Sequence, residues 1–351
     1  MKAGITGLPF SGKTTLFCAL TGQDYEQIAH HRDIHLGTVK VPDARLEKLY
    51  EMFKPKKITY ATMEYCDVAG QPAGQGKSME PKTLQTLKNA DSLIVVLDSF
   101  SDTADPKADF NTFMGEFALN DLLIASNRLE RLEKDMRSGK TDVLLHEKAI
   151  LDQCIEVLEN GGMLRDLEFS PDDEKALRGF QFLTRKPLLI VVNISEELQL
   201  EGKAKEIEAQ YSGIKNTVCA AISAEIEMEI AALEDQQERV EFLDSMGIEE
   251  PALGRLIRLS YQSLGLISFL TGGGPDEVRA WPVRKNSNAA ECAGAIHSDL
   301  ERGFIRAETV AFEDLMAAGS YKAARDQGLL RIEGKDYIVQ DGDVLTIRFN
   351  V

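Results

Sequence analysis

The chain has 351 residues, of which 43% are hydrophobic and 28% are charged, and its formal net charge is −17. This composition is ordinary for a soluble globular protein of two or three domains. The acidic balance excludes an overall basic footprint for nucleic acid and disfavours sequence-specific DNA binding. No apolar run approaches the ~20 residues that span a bilayer, so no membrane contact is expected. Five scattered cysteines predict reduced thiols and a cytoplasmic location.

The first predicted element is a phosphate-binding loop. Gly7 to Thr14 matches G-x-x-x-x-G-K-(S/T), between a predicted strand at Lys2–Thr6 and a predicted helix at Thr14–Leu20. Loop N–H groups and the positive end of the helix dipole favour phosphate there. Lys13 is expected to reach the β- and γ-phosphates, and the Thr14 hydroxyl to ligate Mg²⁺. The residues predicted to contact nucleotide in this loop are Phe10, Ser11, Gly12, Lys13, Thr14 and Thr15.

Apolar runs that alternate with helical stretches predict a mostly parallel α/β sheet. Since the phosphate loop starts at residue 7, we expect no secretion segment before it. The predicted strands are Lys2–Thr6, Gly37–Val41, Thr62–Cys66, Ser92–Asp98, Leu188–Asn193 and Thr217–Ala221, with a helix at Asp43–Phe53.

A helical hairpin is predicted as an insertion in this sheet. Leucines and other apolar residues from Leu122 to Met136 recur at steps of three and four, which is a coiled-coil seam. A break near Gly139 and a returning pattern over Leu144–Leu158 make the hairpin antiparallel. A third helix is predicted at Pro171–Arg185. The acidic stretch Glu225–Glu250 is interpreted as a solvated helical surface.

From Leu266 onward, short strands around a helix predict a small α+β module of the β-grasp type. The predicted domains are a G domain (1–115 and 186–265), an inserted helical domain (116–185) and the C-terminal module (266–351). The elements predicted in the C-terminal module are strands at Val278–Arg284, Phe304–Phe312, Leu329–Glu333, Tyr337–Val339 and Val344–Phe349, and a helix at Ala289–Leu300.

Asp67-Val68-Ala69-Gly70 is a D-x-x-G pattern at the end of a predicted strand. Downstream of a phosphate loop, the Asp is expected to hold Mg²⁺ through water and the Gly N–H to meet the γ-phosphate. Gln71 follows directly and is a candidate to orient the attacking water, as in Ras-like GTPases. Its equally weighted alternative is a solvated loop residue.

Asn193-Ile194-Ser195-Glu196 occupies the place of the base-reading N-K-x-D motif. A Glu in place of the Asp misplaces the carboxylate for bidentate contact with guanine, which costs on the order of 1–3 kcal/mol of discrimination by analogy with base-edge contacts. The predicted site therefore disfavours strict guanine recognition without proving adenine. The residues predicted to contact the base region are Asn193, Glu196, Ser223 and Ala224.

These motifs, in this order, resemble the YchF or Obg-like ATPases. The stretches Val41–Leu46, Phe304–Glu308 and Glu333–Asp343 also resemble that family along the full chain. The resemblance implies a G domain, a coiled-coil insertion and a β-grasp TGS domain. It also implies a preference for ATP over GTP and a cytoplasmic ATPase that binds ribosomes or a ribosomal subunit.

Three departures from the family pattern lie in the active site. Phe10 stands where the family has an Asn that, in related potassium-dependent GTPases, helps to hold a monovalent cation. Gln71 replaces an apolar residue and restores a Ras-like arrangement. The first switch stretch, His31–His35, lacks the family's metal-binding Thr, and Asp33 is a candidate substitute. These departures predict an altered hydrolysis mechanism.

The resulting hypothesis is a molecular switch that binds ATP with Mg²⁺, hydrolyses it slowly with Lys13 and Gln71, and acts on ribosomes in translation or a stress response. One alternative is a nucleotide-binding scaffold with little hydrolysis, and another is a GTPase of the Obg-like class. A metabolic kinase is a third, against which the D-x-x-G pattern and the C-terminal module argue. A candidate basic strip for RNA, or else scattered paired charges, is Arg279, Arg284, Lys285, Arg302 and Arg306.

Overall fold

The computed structural model describes residues 1–28, 34–68, 79–139, 141–233, 235–248 and 250–350. These residues divide into two compact units. The first comprises Met1–Gly37 and Glu64–Leu253, and the second comprises Thr38–Met63 and Gly254–Val351. Within the described ranges, no helix is both long enough and apolar enough to cross a membrane.

The strands belong to two sheets. In chain order they are β1 (Lys2–Gly7), β2 (His35–Lys40), β3 (Lys57–Thr59), β4 (Thr62–Asp67), β5 (Ser92–Ser99), β6 (Leu188–Ile194), β7 (Thr217–Ile222), β8 (Leu266–Thr271), β9 (Glu277–Arg284), β10 (Phe304–Ala311), β11 (Arg331–Glu333) and β12 (Asp343–Phe349).

Helices connect these strands. They are α1 (Lys13–Thr21), α2 (Tyr25–Ile28), α3 (Ala44–Phe53), α4 (Pro81–Asn89), α5 (Pro106–Ser138), α6 (Asp142–Glu159), α7 (Pro171–Leu177), α8 (Glu196–Leu200), α9 (Ala204–Ala209), α10 (Ala224–Ala232), α11 (Gln236–Ser245), α12 (Ala252–Ser263), α13 (Ala289–Ile296), α14 (Ser298–Arg302), α15 (Phe312–Ala318) and α16 (Tyr321–Asp326), with single 3₁₀ turns at Leu164–Asp166 and Arg178–Phe180.

The first sheet has the strand order β2-β4-β1-β5-β6-β7, and β1 runs parallel to both of its neighbours. All six strands were predicted from the sequence, and their bounds agree within two residues. In the register, Ile5 lies opposite Asp67 and Asp98 lies opposite Asn193. Because the carboxyl ends of parallel strands meet at one edge, the loop after β1 lies beside Asp67, Asp98 and Asn193. The P-loop fold predicted for this part is confirmed.

The helical hairpin is formed by α5, of 33 residues, and α6, of 18 residues. Its core contains the apolar positions that the heptad pattern selected, among them the fully buried Ala125 and Leu132, packed against Leu151 and Cys154 of α6. Arg128 and Glu147 join the two helices through two hydrogen bonds of 2.7 Å. The predicted antiparallel pair is confirmed.

The predicted third helix, Pro171–Arg185, is wrong beyond Leu177. The chain makes one 3₁₀ turn at Arg178–Phe180, and Gln181 then adopts a left-handed backbone with φ of 52°. That conformation ends a helix. It directs the following backbone to Asp121 of α5, whose carboxylate accepts the N–H of Leu183 at 3.0 Å and that of Thr184 at 2.7 Å.

We expect Asp121→Ala to lower the free energy of unfolding by roughly 2–5 kcal/mol, since two buried N–H groups lose their acceptor at about 1–3 kcal/mol each. Asp121 is fully buried, and it also accepts the Thr184 hydroxyl at 2.7 Å. The measurement is urea denaturation followed by circular dichroism. Glu130→Ala on the exposed side of the same helix is the control, and equal midpoints for the two variants would contradict the prediction.

The second sheet is mixed, with the order β11-β10-β12-β8-β9-β3. Helix α13 covers one face, where Ala289 and Cys292 pack with Phe269 and Leu345. This layout is the one expected of a β-grasp module, whose TGS assignment stays a prediction. The strand predicted at Tyr337–Val339 is wrong, because the described backbone there makes one isolated bridge, from Ile338 to Asn288.

The second unit includes the segment Thr38–Met63, whereas the predicted boundaries placed that segment in the G domain. Two contacts explain the difference. Strand β3 pairs in parallel with β9, and Arg45 at the start of α3 donates to Asp341 Oδ2 at 2.9 Å and to Asp43 Oδ2 at 2.8 Å. The separation of 116–185 as a domain of its own stays a prediction.

The stretch Glu225–Glu250 is not wholly a solvated surface. Glu227 is 2% exposed, and its carboxylate accepts the N–H groups of Ala252 at 2.7 Å and Leu253 at 3.1 Å. These are the first residues of α12. A carboxylate at a helix N-terminus satisfies free N–H groups and the positive dipole end, which explains why one acidic residue of the stretch is buried.

Candidate nucleotide-binding site

The phosphate loop joins β1 to α1 and depends on two glycines. A Cβ at Gly7 would lie 2.6 Å from the carbonyl oxygen of Val96, which is too close for any side chain. Gly12 has φ of 83°, and a Cβ there would lie 2.1 Å from Asn193 Nδ2. Gly12 is also the N-cap of α1 and supplies no side-chain cap. The first-turn N–H groups of α1 therefore remain directed at the loop, where an anion would bind.

Lys13 lies in the centre of this loop. Its residue is 6% exposed, and Nζ donates to the Leu8 carbonyl at 3.1 Å. Burial lowers the pKa of Lys13, while the negative charge of Asp67 acts in the opposite direction. An ammonium has three donors, so this position leaves capacity for phosphate oxygens. A charge in low-dielectric surroundings attracts a phosphate more strongly than one in water.

Thr14 and Asp67 form the candidate metal site. Thr14 Oγ1 donates to Asp67 Oδ2 at 2.9 Å. Asp67 Oδ1 is buried and has no hydrogen-bond partner among the described residues. Burial raises the pKa of Asp67, and the Thr14 bond and Lys13 oppose that effect. A hydroxyl and a buried carboxylate with a free oxygen are the hard oxygen ligands that Mg²⁺ takes beside phosphate, so these residues fit the ion.

We expect Asp67→Asn to raise the Mg²⁺ concentration needed for half-maximal nucleotide binding by roughly tenfold or more, because an amide carries no negative charge for the cation. The measurement is a Mg²⁺ titration of protein with a fluorescent ATP analogue. The control is a titration with the ATP analogue in excess chelator, where the wild type and Asp67→Asn should bind the analogue with similar affinity. A similar Mg²⁺ requirement for the two proteins would contradict the prediction.

Asn193 connects the phosphate loop to the loop that contains Ser223 and Ala224. Its Nδ2 donates to the Ser11 carbonyl at 3.1 Å, and its Oδ1 accepts the Ala224 N–H at 3.0 Å. Ser223 caps α10 through its hydroxyl. The Ser11 hydroxyl is buried and lacks a hydrogen-bond partner within the described ranges. The predicted base-region residues thus meet the phosphate loop, as the shared strand edge requires.

A cavity of about 930 Å³ opens beside Gly12 and Thr15. Its apolar lining includes Ile194 and Ala224 of the base-reading motifs, together with Tyr25, Phe100, Leu200 and Met228, which no sequence pattern selected. The charged side chains among its described lining residues are all carboxylates. These are the glutamates Glu196, Glu197, Glu201 and Glu225.

Phe100 is held over Gly12 by a tight turn after β5. Asp98 Oδ1 accepts the N–H of Phe100 at 3.0 Å and that of Ser101 at 3.1 Å. The Phe100 Cε1 atom lies 3.9 Å from the Cβ position of Gly12. The signal that could have found Phe100 is its place directly after a parallel strand, at the edge where the other site residues lie.

Phe10 has an unusual conformation. It adopts a left-handed backbone with φ of 68° and is 92% exposed. This region disfavours side chains with a Cβ by about 1–2 kcal/mol. Of the other predicted site residues, Gly70 and Gln71 lie outside the described residues, as does Asp33.

Comparisons with known proteins agree with this geometry. A family model described as "YchF-GTPase_C: Protein of unknown function (DUF933)" matches residues 266–350, and one described as "50S ribosome-binding GTPase" matches residues 2–128. The protein "Ribosome-binding ATPase YchF" of Bacillus subtilis is 40% identical, with all of both chains covered. The protein of the same name from Haemophilus influenzae is 39% identical, covering 100% of this chain and 99% of its own.

A solved structure of the Schizosaccharomyces pombe YchF GTPase superposes with a TM-score of 0.86. It shares 26% sequence identity and covers 99% of this chain and 97% of its own. The similarity therefore extends over both compact units and over the loop, the hairpin and the C-terminal sheet. By these matches, the chain belongs to the YchF family of P-loop nucleotide hydrolases.

Proposed function

We propose that this protein is a molecular switch that binds ATP with Mg²⁺ and hydrolyses it slowly. The observation that carries the proposal is the assembled phosphate loop, with Lys13 buried inside it and Thr14 Oγ1 2.9 Å from Asp67 Oδ2. The relatives from Bacillus subtilis and Haemophilus influenzae are named ATPases, which supports the same reaction.

The preference for ATP over GTP is supported by the base cavity. Guanine presents an acceptor oxygen where adenine presents an amino donor. The charged side chains lining the described part of the cavity are carboxylates, which accept hydrogen bonds from an amino group and repel an oxygen. The Ala224 N–H already donates to Asn193. At the 6-position, guanine O6 therefore meets a poorer set of partners than the adenine amino group. The N1–H and 2-amino donors of guanine can still meet a carboxylate, so the proposed discrimination comes from the 6-position and from the displaced carboxylate of Glu196.

In the proposed reaction, Lys13 and the first-turn N–H groups of α1 hold the transferring phosphoryl group and stabilise its developing charge. Thr14 and Asp67 would hold Mg²⁺, which when bound would neutralise negative charge on the phosphates. Gly70 is proposed to contact the γ-phosphate and Gln71 to orient the attacking water. Both follow Asp67 outside the described residues.

Slow turnover is part of the proposal. The described residues that surround the phosphate loop, Lys13, Thr14, Asp67 and Asn193, include no arginine to stabilise the transition state. A partner that repositions the loops around Asp67 would then accelerate hydrolysis. The proposed partner is the ribosome or a ribosomal subunit in the cytoplasm, in translation or a stress response, because the relatives are named ribosome-binding.

Single-turnover hydrolysis of labelled ATP tests the enzymatic part. We expect complete but slow conversion to ADP that depends on Mg²⁺. A second candidate function, a nucleotide-binding scaffold with little hydrolysis, is favoured by the strained Phe10 in the phosphate loop. Tight ATP binding with no conversion to ADP would favour the scaffold.

Sedimentation with bacterial ribosomes, with and without a non-hydrolysable ATP analogue, tests the proposed ribosome binding.

Phe10→Asn is expected to make hydrolysis roughly tenfold faster in potassium chloride than in sodium chloride, the rate equivalent of about 1.4 kcal/mol. In related potassium-dependent GTPases an Asn at this place helps to hold the monovalent cation, and the Phe ring has no oxygen to do so. The wild type should show little difference between the two salts. Equal salt dependence of the variant and the wild type would contradict the prediction that an Asn at position 10 creates potassium stimulation.

A further inference from the structure

A group of arginines lies on one face of the second sheet, at the end of β10 and β12. Arg306 of β10 lies directly opposite Arg348 of β12, and Glu308 lies opposite Thr346. Residues directly opposite each other in an antiparallel pair share a face. Arg325 of α16 reaches the same face, where its Nη2 lies 3.5 Å from Glu308 Oε2. We call Arg306, Arg325 and Arg348 the arginine cluster.

Glu308 is the carboxylate at the centre of this cluster. Arg348 Nε donates to Glu308 Oε1 at 3.1 Å, and Arg348 Nη2 donates to Glu308 Oε2 at 3.3 Å. The hydrogen bond from Arg348 and the charges of Arg348, Arg325 and Arg306 hold the pKa of Glu308 below its usual value. Glu308 is therefore ionised at neutral pH. Three positive charges and one negative charge leave a net charge of +2 on this group.

The cluster is exposed, and its arrangement does not favour the fold. The side chains of Arg348 and Arg325 are 54% and 64% exposed, whereas that of Glu308 is 12% exposed. Exposed ion pairs stabilise proteins little, and like charges directly opposite on a sheet are destabilising. Glu308 offsets part of the repulsion between Arg306 and Arg348, so the cluster adds little to the stability of the sheet and leaves positive charge for an anionic partner.

The cluster differs from the basic strip that the sequence suggested. Arg279 packs its guanidinium 3.8 Å from the centre of the Trp281 ring, and its register with Thr271 places it on the opposite face of the sheet. Arg302 pairs with Asp299 in α14. Of these strip residues, Arg306 alone belongs to the cluster.

We propose that the arginine cluster binds phosphate groups of RNA, a contact that rests on the ribosome binding proposed above. The planar guanidinium fork matches phosphate oxygens two at a time. Two such forks on facing strands are held in a fixed register, so they can engage neighbouring phosphates of one backbone. The chain as a whole carries a net charge of −17, so phosphate is attracted by a local positive group such as this one and not by the overall charge.

The experiment compares four full-length proteins by sedimentation with bacterial ribosomes at several potassium chloride concentrations. They are the wild type, Arg306→Gln/Arg348→Gln, the charge-matched control Lys48→Gln/Lys335→Gln, and Glu308→Gln. The control residues are exposed in the same unit. Thermal melting and ATP affinity are measured for each protein to exclude misfolding.

We expect the double variant to lower the slope of log affinity against log salt by about 1.4–1.8, since each lost phosphate contact removes about 0.7–0.9. The control should keep the wild-type slope. Glu308→Gln should bind at least as tightly as the wild type, because it removes a negative charge, whereas a merely structural role would weaken binding. Protein-free ribosomal RNA should compete for the wild type.

Four results would overturn the inference. They are an unchanged slope for the double variant, an equal loss in the control, weakened binding by Glu308→Gln, and failure of ribosomal RNA to compete, which would indicate an acidic protein partner. The first of these, with a wild type that does sediment, leaves the proposed ribosome binding intact. A wild type that does not sediment contradicts both.

Discussion

Lys13→Ala is expected to slow ATP hydrolysis by roughly 10²–10³-fold, the range for removing one preorganised donor from a transition state. Lys13 is the buried cation at the centre of the phosphate loop, with Nζ 3.1 Å from the Leu8 carbonyl. Alanine leaves the loop N–H groups in place but removes the positive charge that is expected to contact the γ-phosphate. Binding should weaken less than hydrolysis, because the N–H groups contact the ground state as well.

The measurement is phosphate release under single-turnover conditions, with ATP affinity determined in parallel. Lys175→Ala, on the exposed surface of α7, is the matched control and should hydrolyse ATP at the wild-type rate. Equal rates for Lys13→Ala and the control would show that hydrolysis occurs elsewhere or through a contaminant. They would then remove the loop from the mechanism.

Gly12→Ala is expected to weaken ATP binding by roughly 10–100-fold, which corresponds to about 1.4–2.8 kcal/mol. Its Cβ would lie 2.1 Å from Asn193 Nδ2, in a backbone with φ of 83°. To make room, Asn193 must move, and it then loses its bonds to the Ser11 carbonyl and the Ala224 N–H. The loop and the base cavity are thereby displaced together.

Gly22→Ala provides the matched control at the other end of α1. Gly22 also has a left-handed φ, of 68°, but a Cβ there meets nothing within 4 Å. Both variants should lose about 1 kcal/mol of stability from the strained backbone, and Gly12→Ala should also lose affinity. If calorimetric titration gave the two variants the same ATP affinity, the hydrogen bonds of Asn193 to the two loops would not contribute to ATP binding.

Much of the candidate site was predictable because it follows from parallel strands. Lys13, Thr14, Asp67 and Asn193 each come at or just after the carboxyl end of an apolar run, and such ends meet at one edge of a sheet. The seam of the helical hairpin was predictable for a similar reason, since its spacing alone selects the buried side.

The features that were not predicted depend on contacts between residues distant in the sequence, and the periodicity of a segment contains no information about such contacts. The position of Phe100 is set by the Asp98 turn and by the neighbouring Gly12. The burial of Glu227 depends on a helix that begins at Ala252. The 3₁₀ turn that follows α7 ends at a left-handed residue, Gln181, and a glutamine in the sequence does not predict that conformation.

The second unit shows the same limit on a larger scale. The pairing of β3 with β9, and the bond from Arg45 to Asp341, join segments more than two hundred residues apart. Neither segment has a local pattern that identifies its partner. Pairing between such distant strands depends on packing, which local sequence patterns do not reveal. The prediction therefore grouped Thr38–Met63 with its neighbours along the chain, in the G domain.

The measurement that tests the central claim most directly is a calorimetric titration of the wild type with ATP and with GTP, each in the presence of Mg²⁺. The loop with Lys13 and Asp67 predicts that both bind, and the glutamate-lined base cavity beside Asn193 predicts the preference. We expect ATP to bind roughly tenfold or more tightly than GTP, in line with about 1–3 kcal/mol of lost guanine discrimination. GTP binding as tightly as ATP, or more tightly, would contradict this account.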